Sequence, residues 1–255
     1  MISIKSQHEI DLMRKAGEIL AQCFEMIRMN AVDGVTSAQL NRMAEEFFLL
    51  HDGTPSFKGV PGNSKEAPVF PAAMCISLND EVIHGIPDDR RLKNGDIASI
   101  DMGVIYKGYQ SDMARTYCIG EVTPEAKKLV QITEESFFKG IEQAIPKNRI
   151  SDISAAIQKH VEDAGFSIVR EYVGHGIGKE MHEPPQIPNF VDRSRGPRLQ
   201  KGMTLAIEPM VNIGGHRVKV LPNYWTVVTA DHSLSAHYEN TILICDGPPM
   251  ILSST

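Results

Sequence analysis

The chain has 255 residues but no run of about 18 apolar ones, so no segment is suited to cross a bilayer as a helix. Its first stretch, MISIKSQHEIDLMRKAG, lacks the apolar core of a signal peptide. Cysteine is sparse. Cys23, Cys75, Cys118 and Cys245 stand far apart with no C-x-x-C pair, which excludes a zinc knuckle and a disulfide framework and fits a reducing cytoplasm. A basic excess is missing too. The net charge of −6 argues against nucleic acid or an anionic membrane as the main partner. The one local exception, DRSRGPRLQK with Arg193, Arg195, Arg198 and Lys201, reads as a solvated loop. What remains is an ordinary soluble globular balance, 42 % hydrophobic and 23 % charged, on a chain long enough for an ample core.

Ser6 and Glu9 have capping-box spacing, and Ile10, Met13, Gly17 and Leu20 follow at helical intervals, so a first helix starts near residue 7. Thr36 and Gln39 repeat the box before LNRMAEEFFLLHDG, with Gly53 as its expected stop. A Pro- and Gly-rich loop covers PSFKGVPGNSKEAPVFPA. MCISL and EVIHG flank Asn79-Asp80 as an expected hairpin, and DIASIDMGVIY and YQSDMARTYCIG flank Lys107-Gly108 as another. Thr123-Pro124 then opens a helix, Ser151 opens the next, and Gly165 closes it. TLAIEPMV, WTVVTA and HYENTILIC read as strands.

The halves, about 7–120 and 121–247, resemble each other. LKNGDIASID parallels LQKGMTLAIE, and HGIP at 84–87 parallels HGIG at 175–178. Two helices followed by antiparallel strands, repeated, predict a pseudo-twofold α+β fold. Each half would bring an acid and a His toward a shared cleft in one domain spanning 1–255.

Asp101, Asp112, His175, Glu208 and Glu239 all fall in strand-like sequence. Carboxylates are costly to bury unless something positive neutralises them, and no run of Lys or Arg stands beside these four. On a period-2 strand Ser99 and Asp101 share a face, and the turn at Lys107-Gly108 brings Asp112 back against it. Left alone, two facing carboxylates repel and one keeps its proton. A pair of divalent cations removes that conflict, and oxygen donors with one imidazole suit Mn, Fe, Co or Zn. Such ions acidify a bound water and polarise a carbonyl. Gly174 and Gly176 leave the His175 imidazole accessible. His84 and His182 are left over; beside a hydrolytic metal site they are placed to bond a substrate amide and shuttle protons.

The ordered set CISLNDEVIHGIP, IDMG, QSDMARTY, GHGIGKEMHEPP, AIEPMV and SAHYENT resembles the methionine aminopeptidase family from about residue 3 to 247. The resemblance implies the pita-bread fold, two pseudo-twofold halves around a central antiparallel sheet. It also implies removal of the initiator Met from nascent chains when the second residue is small. The short span between His182 and Glu208 leaves no room for the inserted helical subdomain of type II enzymes, and the start at the first helix is similar to short bacterial type I forms. Carried over by position, Asp112 and Glu239 bridge two metal ions (Co, Mn, Fe or Zn). His175 and Glu208 complete one shell, and Asp101 chelates the second ion. Glu208 also takes the water's proton, His84 contacts the substrate amine and amide, and His182 stabilises the carbonyl oxygen. Cys75, Phe57, Phe70, Met181 and Trp225 match the methionine pocket. Asn79 and Ser235 match positions that help hold a structural monovalent cation.

The resemblance is incomplete around the methionine pocket and after the last metal Glu. About nine residues near 60–69 are inserted between the two pocket aromatics. Both aromatics are Phe where Tyr is common, and Met181 stands where an aromatic is frequent. Asn240 follows the last metal Glu in place of a frequent His, with a modest effect expected. The implied partners are N-terminal Met peptides, nascent chains and, transiently, the ribosome, with the enzyme a cytoplasmic monomer. The competing readings are a proline-specific peptidase of the same fold, expected to need an extra N-terminal domain; a catalytically dead peptide-binding module, expected to lack metal ligands; and a structural metalloprotein, which leaves His84 and His182 unexplained.

Overall fold

Capping decides where the helices begin. The computed structural model describes residues 2–62 and 64–254. In α1 (Gln7–Asn30) the Ser6 hydroxyl accepts the Glu9 N–H while the Glu9 carboxylate accepts the Ser6 N–H. Thr36 and Gln39 do the same for α2 (Ser37–Leu50). Thr123 caps α3 (Pro124–Ile141), with Pro124 in the first turn where no N–H is needed. α4 (Ile150–Asp163) starts before the expected Ser151, because the Asp152 carboxylate accepts the Arg149 N–H. The end of α2 also corrects the sequence reading. Asp52, not Gly53, takes the left-handed conformation (φ 57°), and the Gly53 N–H returns to the Phe48 carbonyl. Gly53 lacks a side chain for another reason: a Cβ there would crowd Val104.

The first pair of helices is followed by β1 (Thr54–Pro55), β2 (Met74–Leu78), β3 (Glu81–Ile83), β4 (Ile97–Tyr106) and β5 (Tyr109–Cys118). The second pair is followed by β6 (Ser167–Ile168), β7 (Gly174–Gly176), β8 (Glu183–Ile187), β9 (Thr204–Ile207), β10 (Met210–Asn212), β11 (Val218–Val220), β12 (Val227–Thr229), β13 (Ser235–His237), β14 (Glu239–Leu243) and β15 (Met250–Ile251). The repeated order of two helices and then strands is therefore present.

One nine-stranded sheet runs β1-β4-β5-β14-β9-β7-β8, with β2 also on β4 and β15 on β14. Its ladders are antiparallel. The β4–β5 hairpin pairs over its full length, and Lys107 and Gly108 both take positive φ, the geometry of a tight two-residue hairpin turn. The expected hairpin around Asn79-Asp80 does not form. β2 joins β4, while β3 leaves for a separate sheet with β12 and β11. Likewise TLAIEPMV is not one strand. Glu208-Pro209 breaks it, so β9 stays in the large sheet and β10 joins β13 and β6. HYENTILIC divides at Tyr238 in the same way.

The core follows this division. One apolar cluster joins α1 and α2 to β2 and β4 through Leu20, Phe24, Phe48, Ile76 and Ile100. Another joins α3 and α4 to β9 and β14 through Phe137, Ile153, Ile157, Leu205 and Ile242. No helix among the described residues is long and apolar enough to cross a membrane. α1 lies against the C-terminal segment so closely that a Cβ on Gly17 would run into the Leu252 carbonyl. In an exposed helix Gly17→Ala would stabilise by about 0.5–1 kcal/mol. Here the sign should reverse, with a loss of about 1–3 kcal/mol in denaturant unfolding; a gain would show that the contact is soft.

Candidate metal centre and active site

Five neighbouring strands each deliver one polar side chain to the same face of the sheet. In sheet order these are Asp101 on β4, Asp112 on β5, Glu239 on β14, Glu208 immediately after β9, and His175 on β7. The register explains the convergence. Asp101 pairs with Ala114, and Ala114 pairs with Glu239. Asn240 pairs with Ile207, so Glu208 falls beside Glu239 one step further on. Asp112 and His175 stand two residues along, opposite Gly103 and Ala206 respectively. Side chains two apart share a face, so all five point to one side. Ala114, in the middle of the row, is small enough to leave the space between the acids open. The glycines around His175 permit close backbone approach, since a Cβ on Gly174 would meet the Ala206 carbonyl and one on Gly176 the Pro184 carbonyl.

Donor atoms of Asp112, His175 and Glu239 lie within 4.8 Å of one another. His175 Nε2 is 3.5 Å from Glu208 Oε1 and 3.9 Å from Asp112 Oδ2. Burial, and next the charge of neighbouring Asp112, pushes the Asp101, Glu208 and Glu239 carboxyls well above the usual range. Burial also raises Asp112, to about 7, against the opposing hydrogen bond from the Met113 N–H. The imidazoles go the other way: burial brings His175 and His84 down to about 4, with His182 adding to both. Asp101 Oδ1 and Glu239 Oε1 are buried and have no hydrogen-bond partner. Arg115 is adjacent in sequence but on the opposite face of β5, where it donates to the carbonyls of Ala114 and Glu239 and to Asn240 Oδ1. Protein groups therefore compensate the acids only in part, and neutral imidazole with unpartnered carboxylate oxygens is a donor set that divalent cations fit.

The same cavity, about 530 Å³, is lined by all the sequence-predicted metal-ligand, catalytic and methionine-pocket groups, though not by Asn79 or Ser235: the five above, His84, His182, Cys75, Phe57, Phe70, Met181 and Trp225. Phe70 meets Trp225 edge-on at 5.1 Å, and Phe70 and Cys75 form an apolar cluster with Phe57 and Trp225 packed on it. Gly103 makes room for Met181, whose methyl would strike a Cβ there. His182 lies against His175 with ring centroids 4.4 Å apart. His84 adopts φ 58°, uncommon for a non-glycine residue, and its ring meets Trp225 and Tyr172 edge-on. The segment near 60–69 is pinched at its base, where Gly59 N–H donates to the Phe70 carbonyl and Phe70 N–H to the Val60 carbonyl. Val60 thus belongs to the cavity wall, and the excursion lies beyond it. Asn79 and Ser235 are also brought together, Ser235 N–H donating to the Asn79 carbonyl. The Asn79 side chain is taken up by Asp96 and the Ile97 N–H.

Residues 11–246 match the family described as metallopeptidase family M24. The chain belongs to that family. It is 55 % identical over 253 residues to a methionine aminopeptidase of Clostridium perfringens, covering 99 % of each chain. It is 47 % identical over 246 residues to methionine aminopeptidase 1 of Bacillus subtilis, covering 96 % of each. A crystal structure of methionine aminopeptidase from Thermotoga maritima superposes with a TM-score of 0.95 at 42 % identity over the whole of both chains. A prolidase from Pyrococcus furiosus shares the fold at a TM-score of 0.77 and 22 % identity, over 99 % of this chain and 65 % of its own. The architecture is the pita-bread fold of M24 peptidases.

Several groups in this M24 site carried no separate signal in the sequence. Tyr172, Val60, Val220 and Tyr224 line the cavity from loops and a short strand whose contacts no local pattern reveals. His237 is buried with Nε2 unpartnered, 3.9 Å from the Glu239 carboxylate, and burial brings it down to about 3. Its place within SAHYENT, two residues before the acid on a strand, was the available clue. Thr241 is fully buried, and its hydroxyl accepts the Asp112 N–H and donates to the Asp112 carbonyl. Thr241→Val keeps the shape but orphans both groups. It should cost about 1–3 kcal/mol in denaturant unfolding and weaken divalent-metal binding by calorimetry. Unchanged metal affinity would show that Asp112 does not need this anchor.

Proposed function

We propose that the chain is a methionyl aminopeptidase, releasing an N-terminal Met when the second residue is small. The observation that carries this reading is the joining of two unlike walls in one cavity. One wall is a five-strand row of only partly compensated acids and an imidazole; the other is apolar and built from Phe57, Phe70, Cys75, Met181 and Trp225. An unbranched, polarisable thioether side chain suits such an irregular apolar wall with a sulfur-bearing lining.

Two divalent ions would be held by Asp112 and Glu239 together, with His175 and Glu208 on one and Asp101 on the other. When bound, such ions acidify water and polarise a carbonyl. The chain's own groups supply the rest. Glu208 accepts the proton from the attacking water at its carboxylate. His84, kept neutral by burial, bonds the substrate's amine and amide region. His182 donates a hydrogen bond to the carbonyl oxygen as negative charge develops there. The Phe70–Trp225 edge contact holds the methionine wall rigid, and the restriction to small second residues would come from steric limits at the second-residue subsite. A structural monovalent cation near Asn79 and Ser235 would be held through main-chain carbonyls. New polypeptides emerging from cytoplasmic ribosomes are the natural source of such substrates, met transiently by a monomeric enzyme.

The test is release of free Met from Met-Ala-Ser, against Leu-Ala-Ser and Ala-Pro-Ser, by EDTA-treated protein titrated with Mn, Fe, Co or Zn. Met release only with added metal is expected; cleavage of the proline peptide instead would move the chain to the proline-specific side of the family. Asp112→Asn or Glu239→Gln should abolish activity and lower the bound metal, and near-normal turnover in either would overturn the two-metal assignment. His182→Ala should lower kcat by a factor of about 10² or more with metal retained, whereas an unchanged rate would remove it from the mechanism.

A further inference from the structure

The mouth of the cavity differs from its floor. Below are the acids and imidazoles; at the rim stand Val60 and Pro61 on one side and Val220 and Tyr224 on the other. These side chains are apolar yet open to solvent: Val60 is 40 %, Val220 53 % and Tyr224 50 % exposed. Single exposed apolar residues are ordinary. A set of them on both lips of one cavity is a surface waiting for a partner.

Both lips are held in place. Tyr224 sits at φ 68°, a conformation uncommon for a bulky residue. The turn that holds it there is closed by Leu221 N–H on the Thr226 carbonyl and Tyr224 N–H on the Leu221 carbonyl. Asn223 Oδ1 also accepts the N–H groups of Trp225 and Thr226. The opposite lip is fixed at its base by the Gly59, Val60 and Phe70 main-chain bonds. It is tied across the mouth by the Trp225 indole N–H, which donates to the Pro68 carbonyl at 3.0 Å. This hydrogen bond links the 60–69 loop to the turn that carries Tyr224.

We propose that Val60, Val220 and Tyr224 form an outer subsite that binds apolar side chains of the substrate beyond its second residue. The inference rests on the aminopeptidase reading. A peptide whose first residue lies in the Phe57, Phe70 and Trp225 wall can extend only outward. The lips are continuous with that wall through the Tyr224-Trp225 and Val60–Phe70 links. The occupant is therefore the substrate's own downstream segment, and its preferred chemistry is that of the rim.

The experiment compares kcat/KM for Met-Ala-Leu-Leu and Met-Ala-Ser-Ser with metal-loaded protein and its Tyr224→Ser and Val220→Ser variants. Partial burial of a leucine at the rim should favour the Leu-Leu peptide about fivefold in the parent protein, chiefly through KM. The ratio should fall toward 1 in both variants. Equal cleavage of the two peptides by the parent protein would overturn the subsite while leaving the aminopeptidase reading intact. A preference that survives both substitutions would overturn the assignment to these residues. Failure to cleave either peptide would overturn the aminopeptidase reading and the subsite with it. A flat peptide preference, with a dimer in sedimentation that Tyr224→Ser abolishes, would assign the rim to self-association instead.

Discussion

Gathering four carboxylates on one buried sheet face is the constraint on which the remainder of the structure depends. Each acid costs free energy to desolvate, and each raises the cost of its neighbours. Asp101, Glu208 and Glu239 are pushed up both by burial and by the charges around them, and nothing basic on their own face relieves them. The chain accepts that unfavourable arrangement and holds it rigidly from behind. Arg115 reaches around the opposite face to fix the Glu239 carbonyl and the Asn240 side chain. Ser253 donates to Asn240 Oδ1 and accepts the Thr241 N–H. Gly17 lets α1 press on the segment carrying that serine. A line of contacts thus runs from the first helix through the C-terminal segment to the strand that bears Glu239.

Such rigidity matters because metal binding cannot use ligands that swing away when they repel. Strand register places donors to fractions of an ångström, and main-chain ladders are not displaced by the repulsion of a few side chains. Thr241 shows the local form of this solution. At the point where β5 and β14 stop pairing, its hydroxyl takes over both main-chain groups of Asp112. The Asp112 backbone therefore stays anchored where the sheet opens. Asn240 belongs to the same supporting layer. It accepts from Arg115 and Ser253 rather than pointing into the acids.

The sequence was most informative where local chemistry and register act together. Capping boxes at Ser6 and Thr36, the Lys107-Gly108 turn and the period-2 placement of Asp101 and Asp112 each rest on contacts a few residues apart, and the structure has them all. It was least informative where a strand chooses between sheets. Asn79-Asp80 has the composition of a hairpin turn, but nothing local says that β2 will find β4 while β3 finds β12. The same limit hides Tyr172, Val220 and Tyr224, whose roles come from loops and a short strand meeting across the cavity. His84 is intermediate. Its motif announced the residue, but only its surroundings explain how a non-glycine residue is held at positive φ.

The two walls of the cavity are consequently built by different means. The acid wall is written in ladder hydrogen bonds, where a one-residue slip would turn every ligand to the other face. It can vary little without losing the site. The apolar wall is assembled from the 57–70 loop, the 181–182 segment and the turn before β12, joined by packing and by single bonds such as Trp225 to Pro68. Loops tolerate insertion because their closure cost grows slowly with length. Changes in length between Val60 and Phe70 can therefore reshape the mouth while Gly59 and Phe70 keep the base in register. Chemistry is fixed by the sheet and selectivity is left to the loops, so the apolar side of the cavity can change without disturbing the residues of the acid row.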